Sequence, residues 1–396
     1  MSHKKGISLE RLSIVESGAS GRIFERVVRI PLRDPRGCLR LALIMTFITW
    51  VPLALLSAMN GAALSSAVTE PFFRDVTPHV RFLFALPLLI LADLIVGPTI
   101  ARVSAQFLAS GLVPDSSYDG FDGAVNAAIR MRDSRRTELL ILAVAYAAAV
   151  INVNRELGTG ASSWLAIGGG AAFHLTLAGW WYVLLSVPVY QFFLFRWIVR
   201  LFIWMVFLFR VSRLDLDIIP THPDCAAGLG FLGQALAPTS VIILAASSVL
   251  CSSIGTQVVY RSAKIQEFIL AFVLFVVVAI AAFLLPFAVF LPTLALARRD
   301  GLVKYGSLAT RYTQLFDRKW VRTHEIVSEG LLGTGDIQSL ADIGNSVDRV
   351  RSMKLLPVEL TDLRALLIAA LIPAIPLALT QIALKDLLGI LAKILM

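Results

Sequence analysis

Phe268-Ile269-Leu270-Ala271-Phe272-Val273-Leu274-Phe275-Val276-Val277-Val278-Ala279-Ile280-Ala281-Ala282-Phe283-Leu284-Leu285 opens a run that reaches position 297 without a charged side chain. A helix rises about 1.5 Å per residue, so about 20 such residues cover the roughly 30 Å hydrocarbon core of a bilayer. A helix apolar on every face has no side to turn to water, and lipid is the solvent that suits it. The pattern recurs along the chain. Hydrophobic residues make up 57% of it and charged residues 16%, where soluble domains carry about a quarter charged; mean hydropathy is +0.77. Comparable runs cover 41–64, 82–100, 139–153, 164–191, 231–253 and 365–384. Asp93 interrupts the second of these, and Pro373 and Pro376 stand in the last. The fold class expected is an all-α integral membrane protein with about seven transmembrane helices.

One more apolar stretch, 192–209, carries Arg196 and Arg200 inside it. If it does not cross separately, 29 of the 36 Lys and Arg fall on one side of the membrane, in 1–40, 102–137, 191–235 and 294–364. If it does cross, the basic 294–364 region is sent to the other side, against the rule that basic loops stay cytoplasmic. The expectation is an N-terminus inside and an interfacial helix at 192–209, with Arg196, Arg200 and Arg210 snorkelling to lipid headgroups. The net charge of +9 then reports topology and contact with anionic headgroups, not nucleic acid. The organisation read this way is a basic cytoplasmic arm (1–40), four spans with a cytoplasmic loop at 102–137 (41–191), the interfacial helix and a polar loop (192–230), two spans (231–297), a cytoplasmic helical segment (298–364), and a last span with its tail (365–396). No leading apolar signal segment precedes the first span, and no internal repeat is evident. Cys38, Cys225 and Cys251 are too widely spaced for a disulfide or zinc pattern.

The densest polar motif is Leu214-Asp215-Leu216-Asp217-Ile218-Ile219-Pro220-Thr221-His222-Pro223-Asp224. Asp215, Asp217, His222 and Asp224 suit a cation or proton site, since carboxylates bind hard cations and histidine titrates near neutrality. They equally suit a proline-fixed turn in which Asp224 caps the next helix and His222 bonds to backbone. Gly228-Leu229-Gly230-Phe231-Leu232-Gly233 matches a dinucleotide fingerprint but lacks a βαβ setting, and His222-Pro223-Asp224 matches a co-chaperone tripeptide without its soluble helical hairpin. Asp93 is costly in hydrocarbon and reads as an ion or proton relay or as a hydrogen-bonded packing residue, with His174 of the fourth span as a partner. In 298–364, Leu308, Tyr312, Leu315 and Trp320 share a helix face, and Asp336 is a candidate N-cap for a second helix.

Pro220-Thr221-His222-Pro223-Asp224 running into Gly228-Leu229-Gly230-Phe231-Leu232, and Gly335-Asp336-Ile337-Gln338-Ser339-Leu340-Ala341-Asp342-Ile343-Gly344-Asn345-Ser346, resemble segments of a group of uncharacterised multipass membrane proteins from bacteria. The resemblance covers under a tenth of the chain. It implies a bacterial inner-membrane location and no particular activity. Because both segments fall on the cytoplasmic side of the expected topology, Asp336, Asp342 and Asn345 are expected to join the Asp215–Asp224 cluster. Three functions compete: a channel or transporter for an ion or small solute, a sensor or scaffold acting through 298–364 with a partner or a second copy, and an embedded enzyme on a lipid. The last needs a polar cavity at headgroup depth. No residue pattern specifies a catalytic group, metal or cofactor.

Overall fold

Asp34 accepts a hydrogen bond from the backbone N–H of Arg36, and Pro35 takes the first helical position, so α1 (Pro35–Met59) begins on a cap and on a residue whose missing N–H is harmless there. The computed structural model describes residues 34–64, 68–158, 162–167, 174–261, 263–322 and 335–379, with a few scattered positions before 34. α2 (Val76–Ala109) follows α1, then α3 (Tyr118–Arg132) and α4 (Arg135–Gly158). A two-stranded antiparallel hairpin, β1 (Ala166–Ile167) with β2 (His174–Leu175), leads into α5 (Leu177–Val211). The second half of the chain holds α6 (Ser240–Arg261), α7 (Gln266–Ala288), α8 (Leu291–Phe316), α9 (Gly335–Arg351), α10 (Leu360–Leu371) and α11 (Ala374–Leu379).

Six segments are long and apolar enough to cross a membrane: α1, α2, the first part of α4, α5, Gly230–Arg261 and α7. The outer surface agrees. Leu270 on α7 is 78% exposed, and Leu274, Val277 and Val278 beside it are each more than half exposed, a continuous apolar face that water would not tolerate. The protein is a helical membrane protein. The expected seventh span corresponds in part to α10 and α11, which break at Ile372–Pro373; its remainder lies outside the described residues, as does most of the basic arm.

Three expectations change. No separate interfacial helix exists at 192–209, because α5 runs without interruption for 35 residues from Leu177 to Val211. At about 1.5 Å per residue that helix outreaches the bilayer core, so its arginine-bearing half is the continuation of the fourth span. β1 and β2 precede the helix, which removes His174 from the middle of a span. The sixth span stops at Ala288, and Pro292 starts α8 as a new helix after a turn at Phe290.

Prolines inside the spans leave backbone carbonyls without their helical donor, which is costly in lipid unless another group supplies one. At three of these prolines a carbonyl so affected receives a side chain from a neighbouring helix. Pro52 frees Ile48 O, which accepts from the Trp181 indole at 3.1 Å. Pro87 follows a π-helical turn at Val80–Ala85, and Phe82 O accepts from Thr46 at 3.2 Å. Pro188 follows a second π-helical turn at Tyr182–Ser186, and Leu184 O accepts from the Tyr146 hydroxyl at 3.0 Å. These bonds tie α1, α2, α4 and α5 into one bundle by pairing that only this arrangement satisfies.

The bundle has two ends. At the sheet end, Thr69 bonds to Ser162, Trp164 to Glu70, and Thr256 to Asp75. At the opposite, basic end, Ser117 donates to the Asp215 carbonyl and the Asp217 N–H to the Leu112 carbonyl, while Lys354 N–H reaches the Cys225 carbonyl at 2.7 Å. α8 and α9 form a helical hairpin beyond the basic end, closed by the Tyr312 hydroxyl on the Asp336 carbonyl.

Candidate functional site

The largest gathering of buried polar groups lies at the sheet end. Asp75 caps the start of α2, its Oδ1 accepting from the Thr77 N–H at 3.0 Å and from the Thr256 hydroxyl at 3.0 Å. Its Oδ2 accepts from the Trp164 indole at 3.0 Å. Three neutral donors from three segments therefore hold one buried carboxylate. The Thr77 and Thr256 hydroxyls are 2.9 Å apart and complete the link between α2 and α6. Glu70, 5% exposed, pairs with Arg261 Nε at 3.3 Å.

Arg81 stands one helical turn and a half below Asp75. Its guanidinium donates to the Tyr182 hydroxyl and lies over the rings of Tyr182 and Tyr190 at 5.8 and 5.7 Å. Its buried Nε–H has no hydrogen-bond partner. A buried donor left unpaired is expensive and marks a place where a further acceptor would be welcome. Trp164 stands edge-on to Tyr182 and to Phe72, closing one wall. Together these groups enclose a chamber of about 70 Å³, room for an ion or a few waters and well below the roughly 300–1,000 Å³ of drug-sized ligand sites. Two carboxylates and two guanidiniums balance its formal charge, so its chemistry suits a small polar solute that both donates and accepts.

None of this was singled out in the sequence. Glu70, Asp75, Arg81, Trp164, Thr256 and Arg261 come from three separated segments, and no sequence motif joins them. The available signal was modest: Arg74, Asp75 and Arg81 cluster where an apolar run begins.

Asp93 lies deep in α2, and its carboxylate forms an ion pair with Arg200 of α5, not with His174. Arg200 is 4% exposed and also lies over the Trp197 ring at 4.6 Å. The expectation that Arg200 snorkels to headgroups is thus overturned by the partner Asp93 offers across the bundle. Arg196, 6% exposed, is likewise buried, and its Nη2 has no hydrogen-bond partner; Arg210 is exposed at the basic end of α5. His174 is exposed on β2, opposite Ile167.

At the basic end, Asp224 organises its own loop. Its carboxylate accepts from the backbone N–H of Ala226 at 2.8 Å, Gly228 at 3.1 Å and Gly230 at 2.8 Å, and stands 2.8 Å from His222 Nδ1. Cys225, Ala227 and Gly228 take positive φ so that these N–H groups converge. Burial alone would raise the carboxyl pKa, but the three backbone donors and His222 outweigh it and hold the group below its usual value of 3.8. A lowered pKa contributes stability that is complete above the unfolded value and disappears as pH falls through the folded one. Protection of the Ala226, Gly228 and Gly230 amides, taken against the intrinsic exchange rate at each pH, should therefore be high at neutral pH and fall below about pH 3.8, and Asp224→Ala should abolish it at both. Slow exchange in Asp224→Ala would mean the loop is held by other contacts.

The loop meets the α8–α9 hairpin through its backbone. A Cβ on Gly301 would lie 2.8 Å from Pro220 and 3.0 Å from Val350, so only glycine lets α8 pass between them. Asp215 and Asp217 are exposed and contribute main-chain bonds alone. The expected cluster with Asp336, Asp342 and Asn345 does not form. Asp336 opens α9 at the far end of the hairpin, bonded to Lys319 Nζ at 2.9 Å and the Trp320 indole at 3.0 Å instead of capping; those bonds lower its pKa. Asp342 accepts from Gln338 on its own helix, and Asn345 is exposed. Among the described residues, no three His, Cys, Asp or Glu side chains are placed to hold a metal ion.

Polytopic helical architecture with a polar chamber at one end is the class these observations define. Compared with protein-family models, curated protein sequences and solved structures, the chain finds no match.

Proposed function

We propose that this is a seven-span protein of a bacterial inner membrane, N-terminus cytoplasmic, that conducts or carries an ion or small polar solute. The observation that carries the reading is the chamber, where Arg81 presents a buried Nε–H without a partner beside the Asp75 carboxylate. Charged groups inside spans are expensive and are kept where they face a cavity or a pathway. Asp93, Arg196 and Arg200 extend that series toward the basic end. With the basic loops cytoplasmic, the chamber opens on the outer side.

The test is flux of K⁺, Na⁺, Cl⁻ and H⁺, each under an imposed gradient, across liposomes holding the purified protein. Flux should fall about tenfold or more in Asp75→Asn and in Arg81→Gln, matching the loss of one charge-assisted bond of roughly 1.5–3 kcal/mol. No flux of any of these ions in wild type, or unchanged flux in both variants, would exclude the chamber as their path. A second reading has one observation in its favour: Leu308, Leu315 and Ile337 of the α8–α9 hairpin are 52, 54 and 44% exposed. They suit a cytoplasmic partner or a second copy of the chain.

A further inference from the structure

A second, larger cavity lies on the other side of Thr256 from the chamber. It is a groove of about 490 Å³ between α2, α6 and the α10–α11 break. Ser252, Gly255 and Val259 of α6 form its floor, and Val80, Phe84, Pro373 and Pro376 its sides. Along α6 it extends from Leu244 to Tyr260, about 24 Å of helix, against about 15 Å for one leaflet of hydrocarbon. The walls are almost wholly apolar. Their rim residues Val76, Phe84 and Val259 are 54, 44 and 67% exposed on the outer face of the bundle, so the groove opens sideways into lipid.

Its sheet end is different. Arg74 and Tyr260 line it there, the Tyr260 hydroxyl donating to the Arg74 carbonyl at 3.1 Å. Arg74 is exposed, and no carboxylate among the described residues pairs with its guanidinium. An apolar trench longer than one leaflet, with a guanidinium that no described carboxylate pairs at its headgroup end, is complementary to an anionic amphiphile. We infer that the groove holds an acyl chain of an anionic phospholipid from the leaflet at the sheet end, with the phosphate on Arg74.

This site is separate from the solute chamber. The two share only the Thr256 wall, and lipid occupancy does not depend on what the chamber carries. Gly255 supplies the means to close the groove, because a Cβ there meets only Leu377 at 3.8 Å. Gly255→Leu would place a side chain in the space of the acyl chain, on a helix that leucine favours over glycine.

The experiment is native mass spectrometry of the purified protein with phosphatidylglycerol and phosphatidylcholine in equal amounts. Wild type should retain phosphatidylglycerol in preference, by roughly tenfold, the worth of one charge-assisted contact. Arg74→Gln, an exposed substitution that leaves packing intact, should lose the preference. Gly255→Leu should lose the bound lipid while remaining monodisperse on gel filtration. Equal retention of both lipids by wild type, an undiminished preference in Arg74→Gln, or phosphatidylglycerol still held by a well-folded Gly255→Leu would each overturn the assignment. Those results would leave the groove to another occupant, such as the chain's own C-terminal residues.

Discussion

Asp93→Leu protein should unfold about 3–5 kcal/mol more readily than wild type, because it leaves Arg200 charged and buried without its counter-ion. The double variant Asp93→Leu with Arg200→Met should regain most of that loss, since two apolar side chains of similar size need no partner. Thermal unfolding of the detergent-solubilised proteins reads both. A single variant as stable as wild type would mean that water reaches the pair. The outcome also governs how flux data are read. Asp93 is a natural target for anyone seeking a proton relay, but a partner at ion-pair distance inside the bundle makes it a structural residue first. Loss of transport in Asp93→Asn is therefore evidence about mechanism only where the variant is shown to be folded.

The second large effect is expected at Gly179, in the first turn of α5. A Cβ at this position would lie 2.2 Å from the Leu165 carbonyl oxygen, which is backbone and cannot swing aside. Thr176 makes the fit rigid: its hydroxyl receives the Gly179 N–H at 2.9 Å and donates to the Trp164 carbonyl at 2.8 Å, and its N–H bonds to the Leu165 carbonyl at 3.0 Å. Gly179→Ala must push the hairpin off the helix, at a cost of roughly 1–3 kcal/mol for overpacking. Because Trp164 moves with it, the donor to Asp75 is lost as well, so the chamber should open and proteolysis near residues 162–167 should quicken. Gly306→Ala is the control, with nothing within 4 Å of its added carbon and a gain in helix propensity of up to about 1 kcal/mol. Equal stability of the two variants would remove the hairpin from the account of the chamber.

What could be read from the sequence follows from the range over which each signal acts. Spans are local: an uncharged run such as 268–285 states its own solvent, and six such segments stand in the structure, the fourth of them displaced to Leu177–Val211. Helix ends are less local. Thr176 caps α5 only because the hairpin folds back onto it, so the apolar 164–175 segment looked like membrane helix. Charge inside an apolar run is ambiguous by nature. Arg196 and Arg200 read as snorkelling to headgroups, and the answer for Arg200 rested on Asp93, more than a hundred positions earlier in the chain. The chamber is the extreme case, built from side chains that are each unremarkable where they stand. Asp224 sits between these limits: its capping-type role was one of two readings, and its bonds to Ala226, Gly228 and Gly230 are all within six residues. Its expected companions Asp336, Asp342 and Asn345 failed to meet it because the loop is met just past the other end of α9, by Ser352 and Lys354.

The paired π-helical turns set one further constraint. Each inserts a residue beyond the α-helical count and turns the segment before it by about 100° against the segment after it. Arg81 lies in one turn and Tyr182 in the other, so their bond depends on both insertions being present. Deleting a single residue from either turn, even an exposed one such as Leu83, would rewind that span to plain α-helix and carry its half of the pair around the axis. The site is thus specified by the length of two helices as much as by what lines it. Homologues that keep every lining residue but lack one insertion would keep the parts and lose the alignment.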